Sequence, residues 1–241
     1  MSNTILRDQR IFLDGYEVSS RSNTCQIQAT KDVKDVTTFT QSDREKIAGI
    51  KDFTFGAGGF MEIDATDTAL WAGLNGGSIV MSVTPEVQAL GGIAYVMKAV
   101  DSNIQILGAV GDVAPFQIGA AGDSLMSKGM ILAVPATPVT ASGNGTVQQN
   151  TDAATGKKLK MTMHVTAISG AGGPTLTATL KSSAVVGMTS TTDVATSQSF
   201  SAIGAQYIEA TLADNKNYFR LTFAVTGTNP SFTVLIAFAI I

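Results

Sequence analysis

The chain has one histidine, His164, and one cysteine, Cys25. A nucleophilic site built on imidazole would have to centre on His164, and sites needing two histidines, HExxH among them, are excluded. His164 closes the stretch KKLKMTMHV at 157–165, where Lys158, Lys160, Thr162 and His164 alternate with Leu159, Met161, Met163 and Val165. That places it on a polar strand face, as an exposed or interfacial side chain rather than a catalyst. Cys25 sits in a strand pattern beside Ile27 and reads as a packed thiol. Asp64 and Asp67 could be imagined as metal ligands, but Asp67 stands where a helix N-cap belongs. The glycines at 56–59 and 170–173 match neither GxGxxG nor a P-loop, and no GxSxG elbow occurs. Arg44, Lys46 and Lys128 could touch phosphates, yet no aromatic interleaving supports a stacking platform. The expectation is a chain with no catalytic residue, no metal site and no cofactor, hence not an enzyme. A glycosidase would need paired carboxylates facing a cleft, and no such pair stands out.

What must be positioned, then, is surface. Residues 175–181 (TLTATLK), 219–226 (FRLTFAVT) and 232–241 (FTVLIAFAII) repeat the alternation of 157–165, the pattern of strands with a buried face. Phe219, Phe223, Phe232 and Phe238 fall to the core, with turns marked at 170–174 and 227–230. Toward the N-terminus, RIFLDGYEV carries Asp14-Gly15 between apolar residues, a hairpin signal. Strands are predicted at 24–29, 78–84, 93–100, 104–111, 116–120 and 130–134. Two strand pieces around Gly56, Gly58 and Gly59 and a short helix over 68–74 complete the first half. Residues 31–50 are polar, of mixed charge and without period, which predicts a long loop with a helical turn near 42–47; such loops are usually functional.

Only 15% of the 241 residues are charged and 44% are hydrophobic, which points to surface covered by neighbouring subunits. The net charge of −3 is uneven: 15 acids against 10 Lys/Arg through residue 135, and 4 against 6 beyond it. This is no general nucleic-acid binder, which would show a basic stripe. The single cysteine fits a reducing compartment, no secretory signal is evident, and the longest apolar run is too short for a membrane helix. The Pro/Gly/Ser/Thr-rich residues 136–150 are the predicted linker between a β domain at 1–135 and a second β domain at 151–241.

Residues 35–61, DVTTFTQSDREKIAGIKDFTFGAGGFM, resemble a segment of the major tail proteins of long-tailed, siphophage-like bacteriophages. The matching features are Asp35, Val36, Thr37 and Thr38; the charged pair Asp43 and Arg44; the step Gly49, Ile50 and Asp52; and Gly59-Phe60. The opening hairpin with Asp14-Gly15, the GDVAPF stretch and the ending YFRLTFAVTGTNPSFTV are similar to that family as well. After Thr38 the chain departs from the family pattern, with Phe39-Thr40-Gln41-Ser42-Asp43.

The resemblance implies a mainly β fold: an antiparallel β-sandwich or barrel of the tail-tube type with a short helix, followed by a second sandwich-like region. It implies subunits that join sheets into closed rings, hexameric or pseudo-hexameric trimers, stacked into a tube. The lumen passes viral double-stranded DNA without specific binding, and should be neutral or acidic. Tape-measure and tail-terminator proteins are the further expected partners, with no membrane partner; the location is the virion tail, assembled in the host cytoplasm. Residues 37–52 are the candidate inter-subunit loop, with Thr37, Thr38, Phe39, Asp43, Arg44, Glu45, Lys46, Gly49, Ile50 and Asp52 as its contact residues. The alternatives are a β-sandwich adhesin or carbohydrate-binding module of a phage fibre or baseplate, and a head decoration protein. A carbohydrate module would need an exposed aromatic platform, which one Trp and four Tyr do not offer.

Overall fold

A computed structural model describes residues 8–39, 42–60, 71, 76–86, 88–106, 109 and 112–241. The described chain is almost entirely antiparallel β, with strands β1 Arg10–Leu13, β2 Tyr16–Glu17, β3 Ser22–Asp35, β4 Lys46–Phe60, β5 Ser78–Thr84, β6 Ile93–Ile106 and β7 Pro115–Gly122. They are followed by β8 Ser127–Ala133, β9 Gly143–Asn144, β10 Gln148–Gln149, β11 Lys158–Ser183, β12 Thr191–Thr196, β13 Gly204–Thr211 and β14 Tyr218–Ile240. The helix expected over 68–74 and the carboxylates Asp64 and Asp67 lie outside the described residues, Trp71 apart.

Two compact units divide the chain, and not at the expected linker. One comprises Met1–Ser20, Ile79–Met97 and Ser127–Ile241; the other Arg21–Ser78 and Lys98–Met126. The reason is strand pairing. β14 pairs with β8, β8 with the start of β6, and β1 with β5, so strands from the first half complete the sheet of the second.

The larger unit is built on the β11–β14 ladder, which runs from Leu159↔Ile240 to Ser183↔Tyr218. Phe219 and Phe238 belong to one strand, yet their ring centroids lie 4.9 Å apart. Nineteen extended residues would span about 60 Å, so β14 folds back on itself. The fold falls where the expected turns were placed, but both strands cross it as one bend rather than ending there. Register slips between Val165 and Thr175, and Gly170 and Gly227 take φ of 126° and 104°. A Cβ at Gly227 would come within 2.8 Å of the Pro174 Cα. Folded over, the two halves of the ladder enclose the principal core, including Leu159, Met161, Leu180, Phe219, Phe232 and Phe238.

The C-terminal half of β14 is covered on both faces. Phe232, Val234, Ile236 and Phe238 face that core, while Leu235, Ala237 and Ala239 pack with Phe12, Ala94, Val96 and Ile131. This is why 234–241 is an unbroken apolar run, where the sequence reading expected the alternation of 157–165 to repeat. The first part of β11, residues 159–165, is covered on both faces too. The polar side expected to be exposed is buried at Lys160, Thr162 and His164.

The smaller unit is a four-stranded antiparallel sheet in the order β3, β4, β7 and the second half of β6. One side carries buried Phe53, Phe55, Ala57, Phe116, Ile118 and Ala120. β4 is one continuous strand, not two pieces, and Gly59 serves close approach: a Cβ there would sit 1.8 Å from the Arg21 carbonyl oxygen. Likewise 93–100 and 104–111 are not separate strands, because β6 runs unbroken through Ile106.

Candidate functional site: a hairpin arm and an amide face

The segment expected to be a long loop with a helical turn, 31–50, is strand at both ends, over 31–35 and 46–50. β3 and β4 pair past the third strand, whose ladder with β4 stops at Thr54↔Ala121. From Thr30↔Asp52 to Asp35↔Lys46 the hairpin continues as a two-stranded arm about 20 Å long. Hydrogen-bonded pairing, which a periodicity reading cannot see in a polar segment exposed on both faces, makes it a strand. Thr37 organises its end. The Thr37 amide donates to Asp35 Oδ1 at 3.0 Å, the Glu45 amide donates to Thr37 Oγ1 at 3.0 Å, and the Val36 amide reaches the Glu45 carbonyl at 2.9 Å. The hydroxyl and amide of Thr37 hold the Asp35 carboxyl below the usual carboxylate range.

Thr37, Thr38, Phe39, Asp43, Arg44 and Glu45 therefore occupy the connection at the arm's tip, and Lys46, Gly49, Ile50 and Asp52 lie on β4. All ten are exposed, Phe39 fully and Ile50 to 84%. Val33 and Ile47 are exposed as well. Gly49 lies against β3, where a Cβ would meet Asp32 Cβ at 3.1 Å. At the arm's base the Asp52 carboxylate accepts from the Phe53 amide at 2.7 Å. The arm thus brings the candidate residues onto one projecting element. Lys31 stands directly across from Lys51, a like-charge pair that costs stability in the free ribbon.

β3 has no strand on its other side among the described residues. Its first nine residues, SNTCQIQAT, contain neither charge nor proline.

A second surface lies on the exposed side of the same sheet. Three cross-strand rows run Thr24–Gly58–Gln117–Gln105, Gln26–Gly56–Gly119–Asn103 and Gln28–Thr54–Ala121–Val100. The rows are neutral throughout. Where glycine replaces a side chain, two open depressions of about 390 and 250 Å³ form. These residues were not singled out from sequence, although Gln26 and Gln28 alternate with Cys25 and Ile27 in CQIQ and so signalled a polar outer face. Cys25 and Ile27 are partly buried.

His164 occupies the interior of the larger unit. The Gly15 amide points to Nδ1 at 3.4 Å, and Nε2 lies 3.0 Å from Ser82 Oγ, which is 2.7 Å from Thr162 Oγ1. With Nδ1 accepting, Nε2 carries the proton and donates to Ser82. A general base would need the opposite tautomer, so this Ser–His pair is not set up for nucleophilic attack. Burial lowers the imidazole pKa to about 3. Phe12 covers the ring at 5.7 Å. Among the described residues no three His, Cys, Asp or Glu side chains gather where a metal could be held.

No family model matches the sequence, and no curated protein matches it. Solved structures similar to it include chains of virion and tail particles. A chain from the virion of a native gene transfer agent particle is 17% identical with a TM-score of 0.44, over 50% of this chain and 95% of that one. A chain from the tail of an empty gene transfer agent particle, of C6 symmetry, is 18% identical with a TM-score of 0.39, over 44% and 81%. The Dit protein of phage SPP1, described as a paradigm of the hub adsorption apparatus in phages infecting Gram-positive hosts, is 9% identical with a TM-score of 0.38, over 98% and 100%.

Proposed function

We propose that this chain is a non-enzymatic structural subunit of a phage-type tail, and that it assembles into rings stacked as the tail tube through which DNA is ejected. The observation that carries this reading is the β3–β4 hairpin, whose two-stranded arm continues exposed beyond the third strand of its sheet. The arm reaches past its own sheet with Val33, Phe39, Ile47 and Ile50 in water. A two-stranded ribbon is marginal alone, so these side chains gain most by docking on a neighbouring copy. The sequence resemblance to major tail proteins supports the same conclusion. The arm links one copy to the next, and tape-measure and terminator proteins set the tube's length and end.

Negative-stain electron microscopy of the purified chain at rising concentration tests this. Hollow tubes of uniform width are expected, with top views that separate sixfold from threefold rings. The double variant Ile47→Asp/Ile50→Asp should fold as the parent does yet form no tubes. Tubes of parental length from that variant would remove the arm from the assembly mechanism. A parent that stays monomeric and binds glycans would favour the adhesin instead.

A further inference from the structure

We propose that the two depressions on the amide face of the smaller unit are consecutive subsites for a neutral polysaccharide chain, a binding function that goes beyond the tail-tube reading and does not rest on it. Every lining residue belongs to the one four-stranded sheet, so the site is complete within that unit. The face limits the ligand by what it holds. No ionisable side chain lines either depression, which leaves a phosphate, a sulfate or an amine without a counter-charge. Gln26, Asn103, Gln105 and Gln117 offer carboxamides that both donate and accept, and among the described residues none of the four is hydrogen-bonded within the chain. A sugar ring presents the matching mixture of hydroxyl donors and acceptors, all uncharged.

Phe60 supplies the apolar half of such a site. By the alternation of β4 it shares the outer side with Gly56 and Gly58, it stands across from Pro115, and it is 49% exposed at the rim of the larger depression. A ring so placed stacks on the C–H face of a pyranose while the amides bond its hydroxyls. Being phenylalanine, it stands outside the one Trp and four Tyr weighed above as an aromatic platform. Gly56 is the second observation. A Cβ there would meet nothing closer than the Ile118 carbonyl oxygen at 3.9 Å, and its φ is not positive, so the fold does not require glycine at this position. Glycine inside a strand weakens it, and what it leaves here is the smaller depression. The rows of Gly58 and Gly56 lie two residues apart along β4, about 7 Å and the scale of one sugar ring, so the depressions take successive units of one chain.

Isothermal titration of the free full-length subunit with cellohexaose, maltohexaose and hexa-N-acetylchitohexaose decides the matter. At least one of these neutral hexamers should bind with a Kd of about 1 mM or below, and the charged hexagalacturonate at least about tenfold more weakly. Gly56→Val fills the smaller depression and should weaken binding about tenfold at an unchanged denaturant midpoint. Phe60→Ala removes the stacking ring from an exposed position and should weaken it by a similar factor, which keeps the test open should the valine variant fold poorly. Binding by none of the three neutral hexamers overturns the inference. So does binding that both variants leave unchanged, or equal binding of hexagalacturonate. Tubes from a parent chain that binds no hexamer would remove this site and leave the tail-tube reading standing, whereas a chain that binds but forms no tubes would do the reverse.

Discussion

His164 is held neutral by its surroundings: the Gly15 amide at Nδ1, Ser82 at Nε2, Thr162 behind it and the Phe12 ring above. Its folded pKa of about 3 lies below the unfolded value of 6.5. Between those values the unfolded chain takes up a proton that the folded chain refuses, so this contribution is complete above pH 6.5 and is lost as pH falls. Going from pH 7 to pH 5 should cost about 2 kcal/mol through this residue alone. Denaturant midpoints for the parent and for His164→Gln at the two pH values check it. The variant should lose less stability on acidification, and an equal loss in both chains would refute the assignment. The alternation of 157–165 correctly separated two sides of a strand. It could not show that both are covered, because the cover comes from the Asp14–Gly15 turn, far away in sequence.

Among the elements, the arm and the bend were the least legible, for opposite reasons. The arm has strand geometry without a strand's composition, since it buries nothing within its own chain. Hydrogen exchange should therefore find residues 31–52 fast in the free subunit and slow in tubes, with β11 and β14 slow in both. Protection of 31–52 in the monomer would contradict docking as the source of the arm's order. The bend has a turn's composition without a turn's topology: glycine and proline at 170–174 and 227–230 were legible as breaks, but not that the ladder continues through them. Gly227→Val adds a Cβ where Pro174 stands within 2.8 Å and where φ is 104°. It should lower stability by about 2–4 kcal/mol, read from the denaturant midpoint, and a loss below about 0.5 kcal/mol would mean the bend is not tightly packed.

For the molecule as a whole, the β class was legible because nearly every long strand alternates or runs apolar. The division into units was not, because residues 136–150 look like a linker while β8 and β14 pair across them. The few charges leave residues 22–30 neutral and a neutral sheet face beside them, features spread over many residues that no single position carries.

The place of β14 in the ladder has a consequence in time. Residues 232–238 supply the neighbour that both β11 and β8 need, yet they are synthesised after either. As the chain emerges from the ribosome, β8 and β11 must wait with an unpaired edge, and the principal core stays open until β14 arrives. Leu159 finds Ile240 only after a long loop has closed, a topology that slows folding. On the tail-tube reading proposed above, the subunit would thus pass through its most aggregation-prone state before it is able to assemble.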